Sequence, residues 1–243
     1  MGMQIGKKFN PVPGYTLLLD GTLPESYPGT GSTWIDLSSR GNSAGLGGSP
    51  TFTRISTGAS ALTFNGTNQY GALGELGLSR SFTISAWIRR ANTSSTGWIL
   101  GAGWVATTGD GAGLGVALGF QGSTLALTTW GNGGYVSYGG LGAGQWYHVV
   151  ATQTAGPTAS SSGWNAVLYV NGTQVSTGGF YNYHYYSTGG AATSYLARNS
   201  HSSIGSYDYF AGDIGQVLVY NSTTFTATQV REAFQQTRSR YGV

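Results

Sequence analysis

"FTISAWIRR", Phe82–Arg90, alternates along its whole length. Phe82, Ile84, Ala86 and Ile88 fall on one side of an extended chain, and Thr83, Ser85, Trp87 and Arg89 on the other. A period of two marks a strand with one face in a core, because successive strand side chains point to opposite faces. The runs "QWYHVVATQ" and "WNAVLYV" are built alike, from the aromatic and β-branched residues that fit a pleated surface. In "NAVLYVNGTQVSTG", Asn171-Gly172 predicts a hairpin, since a tight two-residue turn needs positive φ at both positions. "LGVALGF" and "TLALTTW" flank Gln121-Gly122-Ser123, a second hairpin, and "FAGDIGQVLVYN" is the last long strand. About a dozen short strands broken by Gly-rich turns give an all-β chain, a two-sheet sandwich or barrel.

The composition agrees. Glycine supplies 42 of 243 residues, and charged residues only 8%, against a typical charged share of about 25%. The surface is therefore made of Ser, Thr, Asn, Gln, Tyr and backbone. A hydrophobic share of 40% with 13% aromatics provides a core and argues against disorder. The net charge of +3 comes from scattered basic residues, which is no nucleic-acid footprint. There is no cysteine, hence no disulfide and no thiolate-held metal. No stretch reaches the ~18 apolar residues of a membrane span, and "MGMQIGKKFNPVPG" has no apolar centre of a secretory signal.

One helix is legible. Thr226-Ala227-Thr228-Gln229 forms a capping box, in which the Thr hydroxyl and the Gln amide each satisfy a free backbone N–H. Val230 and Phe234 follow one turn apart on one face, and the helix is expected to run to about Arg238. Residues 1–13, closed by Pro11 and Pro13, read as an N-terminal arm, and residues 14–243 as one domain.

Six segments in order carry a resemblance: "YTLLLDGTLPESYPGTGSTWIDLSSRGNSAGL", "ALTFNGTNQYGAL", "FTISAWIRR", "WYHVVATQ", "AVLYVNGTQV" and "YFAGDIGQVLVYNSTTFTATQVREAFQQTRSRYG". Together the chain resembles the laminin-G-like, concanavalin A-like jelly-roll domains. The opening and closing segments look most like the variant carried by bacteriophage tail-fibre and capsid-associated proteins. The resemblance implies a two-sheet antiparallel jelly-roll sandwich with one short C-terminal α-helix, and rim loops that carry function. The family includes carbohydrate-binding modules, adhesion domains and glycosidases, so the fold alone does not choose among them. Where relatives often carry Asp, this chain has Asn65 and Asn68, and where they often read Ile-Asp-Glu it has Ile214-Gly215-Gln216. Each change removes a carboxylate from any calcium site the family would imply.

The chemistry is weighed on the acids. Glycoside hydrolysis needs two carboxyl groups roughly 5 to 9.5 Å apart. The related glucanases carry Glu-x-Asp-x-x-Glu on one strand, whereas Glu25, Glu75 and Glu232 are each isolated here. His148 sits in a strand, and no Gly-x-Ser-x-Gly elbow accompanies the serines. The chain is expected to be non-enzymatic and to need no cofactor. Asp20 and Asp213 are the best carboxylates for a calcium ion, since the first and last long strands could be neighbours. The competing role for each is a turn cap or an arginine pair.

Aromatic side chains offer sugar-stacking or partner surfaces. Candidates are Trp104, Trp130, Tyr135, Tyr138 and the run "FYNYHYYSTGG", with Tyr181, Tyr183, His184, Tyr185 and Tyr186. Trp34, Trp87, Trp146 and Trp164 sit in strand patterns and belong to the core. Lys7, Lys8, Phe9, Pro11 and Pro13 are the candidate assembly arm. The expected product is a virion structural or decoration protein that attaches through its arm and jelly-roll surface to other virion proteins, as a homo-oligomer. The alternative is an adhesin that recognises host glycans. Neither nucleic acid nor membrane insertion is expected.

Overall fold

The computed structural model describes residues 9–79, 81–103, 115–129, 135–154, 164–180, 193–199 and 208–243. Two antiparallel sheets stack face to face. The first has the order β14 (Thr173–Phe180), β13 (Trp164–Val170), β12 (Trp146–Thr154), β7 (Phe82–Arg90), β16 (Ala211–Asn221), β5 (Ser60–Asn65), β4 (Thr51–Arg54). The second runs β11 (Tyr135–Tyr138), β10 (Thr124–Thr129), β9 (Val116–Gln121), β8 (Gly97–Ala102), β15 (Tyr195–Leu196), β6 (Tyr70–Ala72), β3 (Ala44–Gly47), β2 (Thr33–Trp34). This is the expected all-β sandwich.

Strand β16 serves three neighbours. Its whole length pairs with β7, its first half with β5, and its second half with β1 (Leu17–Asp20). The ladder with β7 shifts register between Ile214 and Gln216, so Gly215 forms a bulge, the extra residue that bends a strand. A Cβ on Gly215 would lie 2.5 Å from the Tyr241 ring. Only glycine fits there, because the C-terminus folds back across this point.

The alternation in β7 is fulfilled. Phe82, Ile84, Ala86 and Ile88 enter the core between the sheets, with Val149 and Ala151 of β12 and Val217 and Val219 of β16. Leu118, Phe120, Leu125 and Leu127 face them from the second sheet. Asn171 and Gly172 take φ values of 50° and 78° between β13 and β14, the hairpin turn the Asn-Gly pair predicts. Asn65-Gly66 does something different: it links β5 of the first sheet to β6 of the second.

The other face of the first sheet is covered by the chain's own end. The helix α1 (Ala227–Thr237) has Thr226 at its N-cap with both capping-box bonds present, and continues as a short 3-10 turn over Arg238–Tyr241. Val230 and Phe234 are buried, as their spacing predicts. Trp87 is fully buried, yet under this helix and not between the sheets. Tyr241 stacks on it at 4.3 Å, and its indole N–H donates to Thr237 Oγ1 at 2.9 Å. Residues 9–12 lie beside the helix. Phe9 and Val12 pack on a cluster of Leu18, Val150, Leu218 and Tyr220, and Tyr220 Oη donates to the Val12 carbonyl at 2.9 Å. Burial raises the Tyr220 phenol above its ordinary range, which keeps that donor protonated.

Candidate functional site

Three carboxylates that could have done chemistry are occupied by the fold. Asp20 is fully buried. Arg240 Nη2 donates to both its oxygens at 2.6 and 2.8 Å, and Gln216 Nε2 and the Thr22 N–H add 2.8 and 2.9 Å bonds. Asp213 accepts from Arg89 Nε at 2.6 Å and from Thr63. The strands are neighbours, as expected, but each carboxylate is held by an arginine. A calcium ion would have to displace that arginine, and hard cations need six to eight oxygens. Among the described residues no group of three acidic or histidine side chains is gathered. These residues do not fit the cation. Asp36, which sequence reasoning passed over, accepts four bonds, from Leu18 N, Ser38 N, Ser38 Oγ and Asn42 N, at 2.6 to 2.9 Å. It is the brace of the loop between β2 and β3.

His148 brings a surprise of limited reach. Its Nε2 lies 2.8 Å from Ser85 Oγ. Nδ1 has no partner and the ring is tilted against Trp87. Nucleophilic catalysis needs a third group to orient the base and a path for substrate. The ring is 2% exposed, under α1. Burial pushes the imidazole down to about 3, so it stays neutral, as a packed strand residue should.

The aromatic candidates divide. Tyr138 is half-buried and packs against the main core. Tyr135 lies in β11. Trp104, Trp130, Tyr181, Tyr183, His184, Tyr185 and Tyr186 fall outside the described residues, as do Lys7 and Lys8. Of the arm, Phe9 and Pro11 line the groove beside α1 and Pro13 is exposed. A different aromatic group was missed by the sequence reading. Tyr70, Tyr195 and Tyr209 are half-exposed neighbours, and the Arg198 guanidinium lies 3.7 Å from the Tyr195 ring centre and 4.7 Å from that of Tyr70. Tyr70 lies flat enough on β3 that a Cβ on Gly47 would meet its ring at 2.5 Å.

An open, polar cleft remains. It has a volume of about 480 Å³ and lies at the rim, where β1 begins and β16 ends, within the ~300–1,000 Å³ of ligand sites. Three stretches build it: Arg40 and Asn42 on the loop braced by Asp36, Glu75–Gly77 after β6, and Asn221-Ser222 at the end of β16. Asn221 is used for construction: its Oδ1 accepts from Ser79 N and its Nδ2 donates to the Gly77 carbonyl. Asn42 Nδ2 donates to the Thr16 carbonyl at 3.3 Å. The Arg40 guanidinium, the Glu75 carboxylate and Asn42 Oδ1 have no partner among the described residues. No pattern in the sequence marks them, because they stand in two loops that carry neither a period nor a motif.

A second cleft, about 550 Å³, lies between the β1–β2 loop and the β3–β4 turn, with Tyr27, Leu46 and Phe52 at its wall. Gly29 closes on the Phe52 ring, and Tyr27 lies 5.6 Å from it. Its polar groups are the hydroxyls of Thr30, Ser32 and Ser49, with no charge among its lining residues.

No curated protein sequence matches the chain significantly. Among solved structures, domain 4 of AbnA, a GH43 extracellular arabinanase from Geobacillus stearothermophilus solved in complex with arabinotriose, superposes with a TM-score of 0.63 at 18% identity. That match covers 91% of this chain and 98% of the domain. The binding domain of botulinum neurotoxin DC in complex with SialylT gives 0.60 at 14% identity, over 91% of this chain and 51% of that one. Trypanosoma rangeli sialidase in complex with sialic acid gives 0.62 at 18%, over 96% of this chain and 34% of the sialidase. The chain thus spans about half of the toxin fragment and a third of the sialidase. At these identities the likeness is one of fold. The family model of the concanavalin A-like lectin/glucanases superfamily, a laminin-G type, matches residues 65–231. With two stacked antiparallel sheets and this match over most of its length, the chain belongs to the concanavalin A-like lectin/glucanase superfamily.

Proposed function

We propose that this chain is a non-enzymatic carbohydrate-binding domain that reads a glycan at its rim cleft. The observation that carries the reading is the cleft lined by Arg40, Asn42 and Glu75, three of whose polar groups have no partner among the described residues. Sugars present dense hydroxyls, and recognising them takes a few placed donors and acceptors on a preformed surface. The bracing of the loop by Asp36 preforms it. Support also comes from the three structural neighbours, whose own structures contain arabinotriose, SialylT or sialic acid. The test is a glycan array read with the wild-type chain and with Glu75→Gln combined with Asn42→Ala. Saturable binding that falls at least about tenfold in the double variant, with unchanged Tm, supports the reading. Binding untouched by the double variant removes it from the cleft, and a folded chain that binds no glycan ends it.

The finer setting we propose is a bacteriophage virion, on the resemblance of the opening and closing segments. There the domain would be a decoration or adhesion protein, docked to other virion proteins through residues 1–8 and repeated as a homo-oligomer. Phe9 and Val12 are seated on the chain's own sheet, so deletion of residues 1–8 is the clean experiment. Loss of virion incorporation with an unchanged Tm supports attachment by the arm, and full incorporation refutes it.

A further inference from the structure

The rim cleft is divided by hydrogen-bonding sense. The Arg40 guanidinium is a donor only and permanently cationic. Glu75 and Asn42 Oδ1 are acceptors. Both acceptors line the same cleft, and Asn42 Oδ1 stands 3.1 Å from where a Cβ on Gly74, the residue before Glu75, would be. Arg40 forms no ion pair with Glu75, although both line one cleft. The remaining polar groups are spent. Thr16 Oγ1 donates to the Val219 carbonyl at 3.2 Å, Asn221 bonds at both ends, and Ser222 Oγ lies 3.2 Å from Ser79 Oγ.

A ligand that satisfies all three of these groups needs an acceptor, best an anionic one, to face Arg40. To face Glu75 and Asn42 it needs O–H or N–H donors. A neutral sugar meets only the second requirement well, since a hydroxyl offers arginine a weaker bond than a carboxylate does. Resting on the carbohydrate reading above, we propose that the cleft selects a sugar acid: its carboxylate meets Arg40, and its ring hydroxyls or amide N–H meet Glu75 and Asn42. The excess of 11 basic over 8 acidic residues favours the same sign of ligand at long range.

The probes are glycans printed at equal density in matched sets, terminating in glucuronic acid, in sialic acid, or in the neutral parent hexoses. The wild-type chain should bind at least one acidic set about tenfold or more above its neutral partner. Arg40→Gln should erase that advantage while the circular dichroism spectrum stays unchanged. Raising ionic strength from about 0.05 to about 0.5 M should shrink the advantage too. Equal binding to acidic and neutral sets overturns the proposal, as does an acidic preference that survives Arg40→Gln. If neutral glycans bind and Glu75→Gln removes that binding, the carbohydrate reading stands and only the acid preference falls. If the folded chain binds none of the probes, both fall together.

Discussion

The outer face of the first sheet and the rim cleft use the same scarce charges in opposite ways. Under α1, Asp20 is closed by Arg240 and Gln216, Asp213 by Arg89 and Thr63, and Trp87 by Tyr241 and Phe234. At the rim, Arg40, Glu75 and Asn42 Oδ1 have no partner among the described residues. The three buried aspartates, Asp20, Asp36 and Asp213, are all spent on the fold, whereas Glu75 faces an open cleft beside Arg40 and Asn42. The comparison teaches that the covered side spends its carboxylates on closing the fold, while the open side leaves its polar groups facing the cleft.

The largest effect expected is from breaking the closed side. Trp87→Ala removes the platform for Tyr241, Phe234 and the Thr237 hydrogen bond. It should cost about 4 kcal/mol, roughly a 10 °C drop in Tm for a chain of this size, measured by calorimetry. Next comes Asp20→Asn, which keeps the shape but leaves Arg240 mostly buried without its counter-charge. A loss of about 3 kcal/mol in urea unfolding is expected. Third is a pH effect. His148 is neutral in the fold down to about 3, whereas the unfolded chain takes up the proton near 6.5. The unfolded state therefore binds more protons between these values, and stability falls as pH falls through that window. From pH 7.5 to 5 this residue should contribute a loss of about 2 kcal/mol, and His148→Gln should flatten that part of the curve. The smallest effect belongs to the open side. Arg40→Gln and Glu75→Gln should each leave Tm within about 1 °C. A clear destabilisation by either would show that the cleft, too, is part of the fold's closure.

Much of the architecture could be read in advance. Strict alternation in β7, the Asn171-Gly172 turn and the Thr226–Gln229 capping box are local signals, and local geometry honours them. The pairing of the first and last long strands also follows. What could not be read is anything made by contacts distant in sequence. Trp87 alternates with the core residues and so belongs to the outer face, but nothing near it says that a helix ends there as a lid. Ser85 and His148 are 63 positions apart. Asp20 looked like a metal ligand because its arginine lies 220 positions away. The rim cleft was illegible for a related reason: its groups come from loops, where neither period nor propensity constrains the residue. Aromatic richness drew attention to Trp104, Trp130 and the tyrosine run, all outside the described residues, and away from Arg40 and Glu75.

Strand β16 carries a consequence for how the molecule is made. It sits at the centre of the first sheet, between β7, β5 and β1, yet it follows fifteen other strands among the described residues. During synthesis, which proceeds from the N-terminus, β1 has no neighbour among the described strands to pair with until about 200 further residues have left the ribosome. The nascent protein must therefore hold an open hydrogen-bonding edge on β1 until β16 emerges, and the closure of that edge joins segments about 200 residues apart. Pulse-labelled chains arrested before Ala211 should be cut readily by protease, and release past Tyr241 should bring resistance in a single late step.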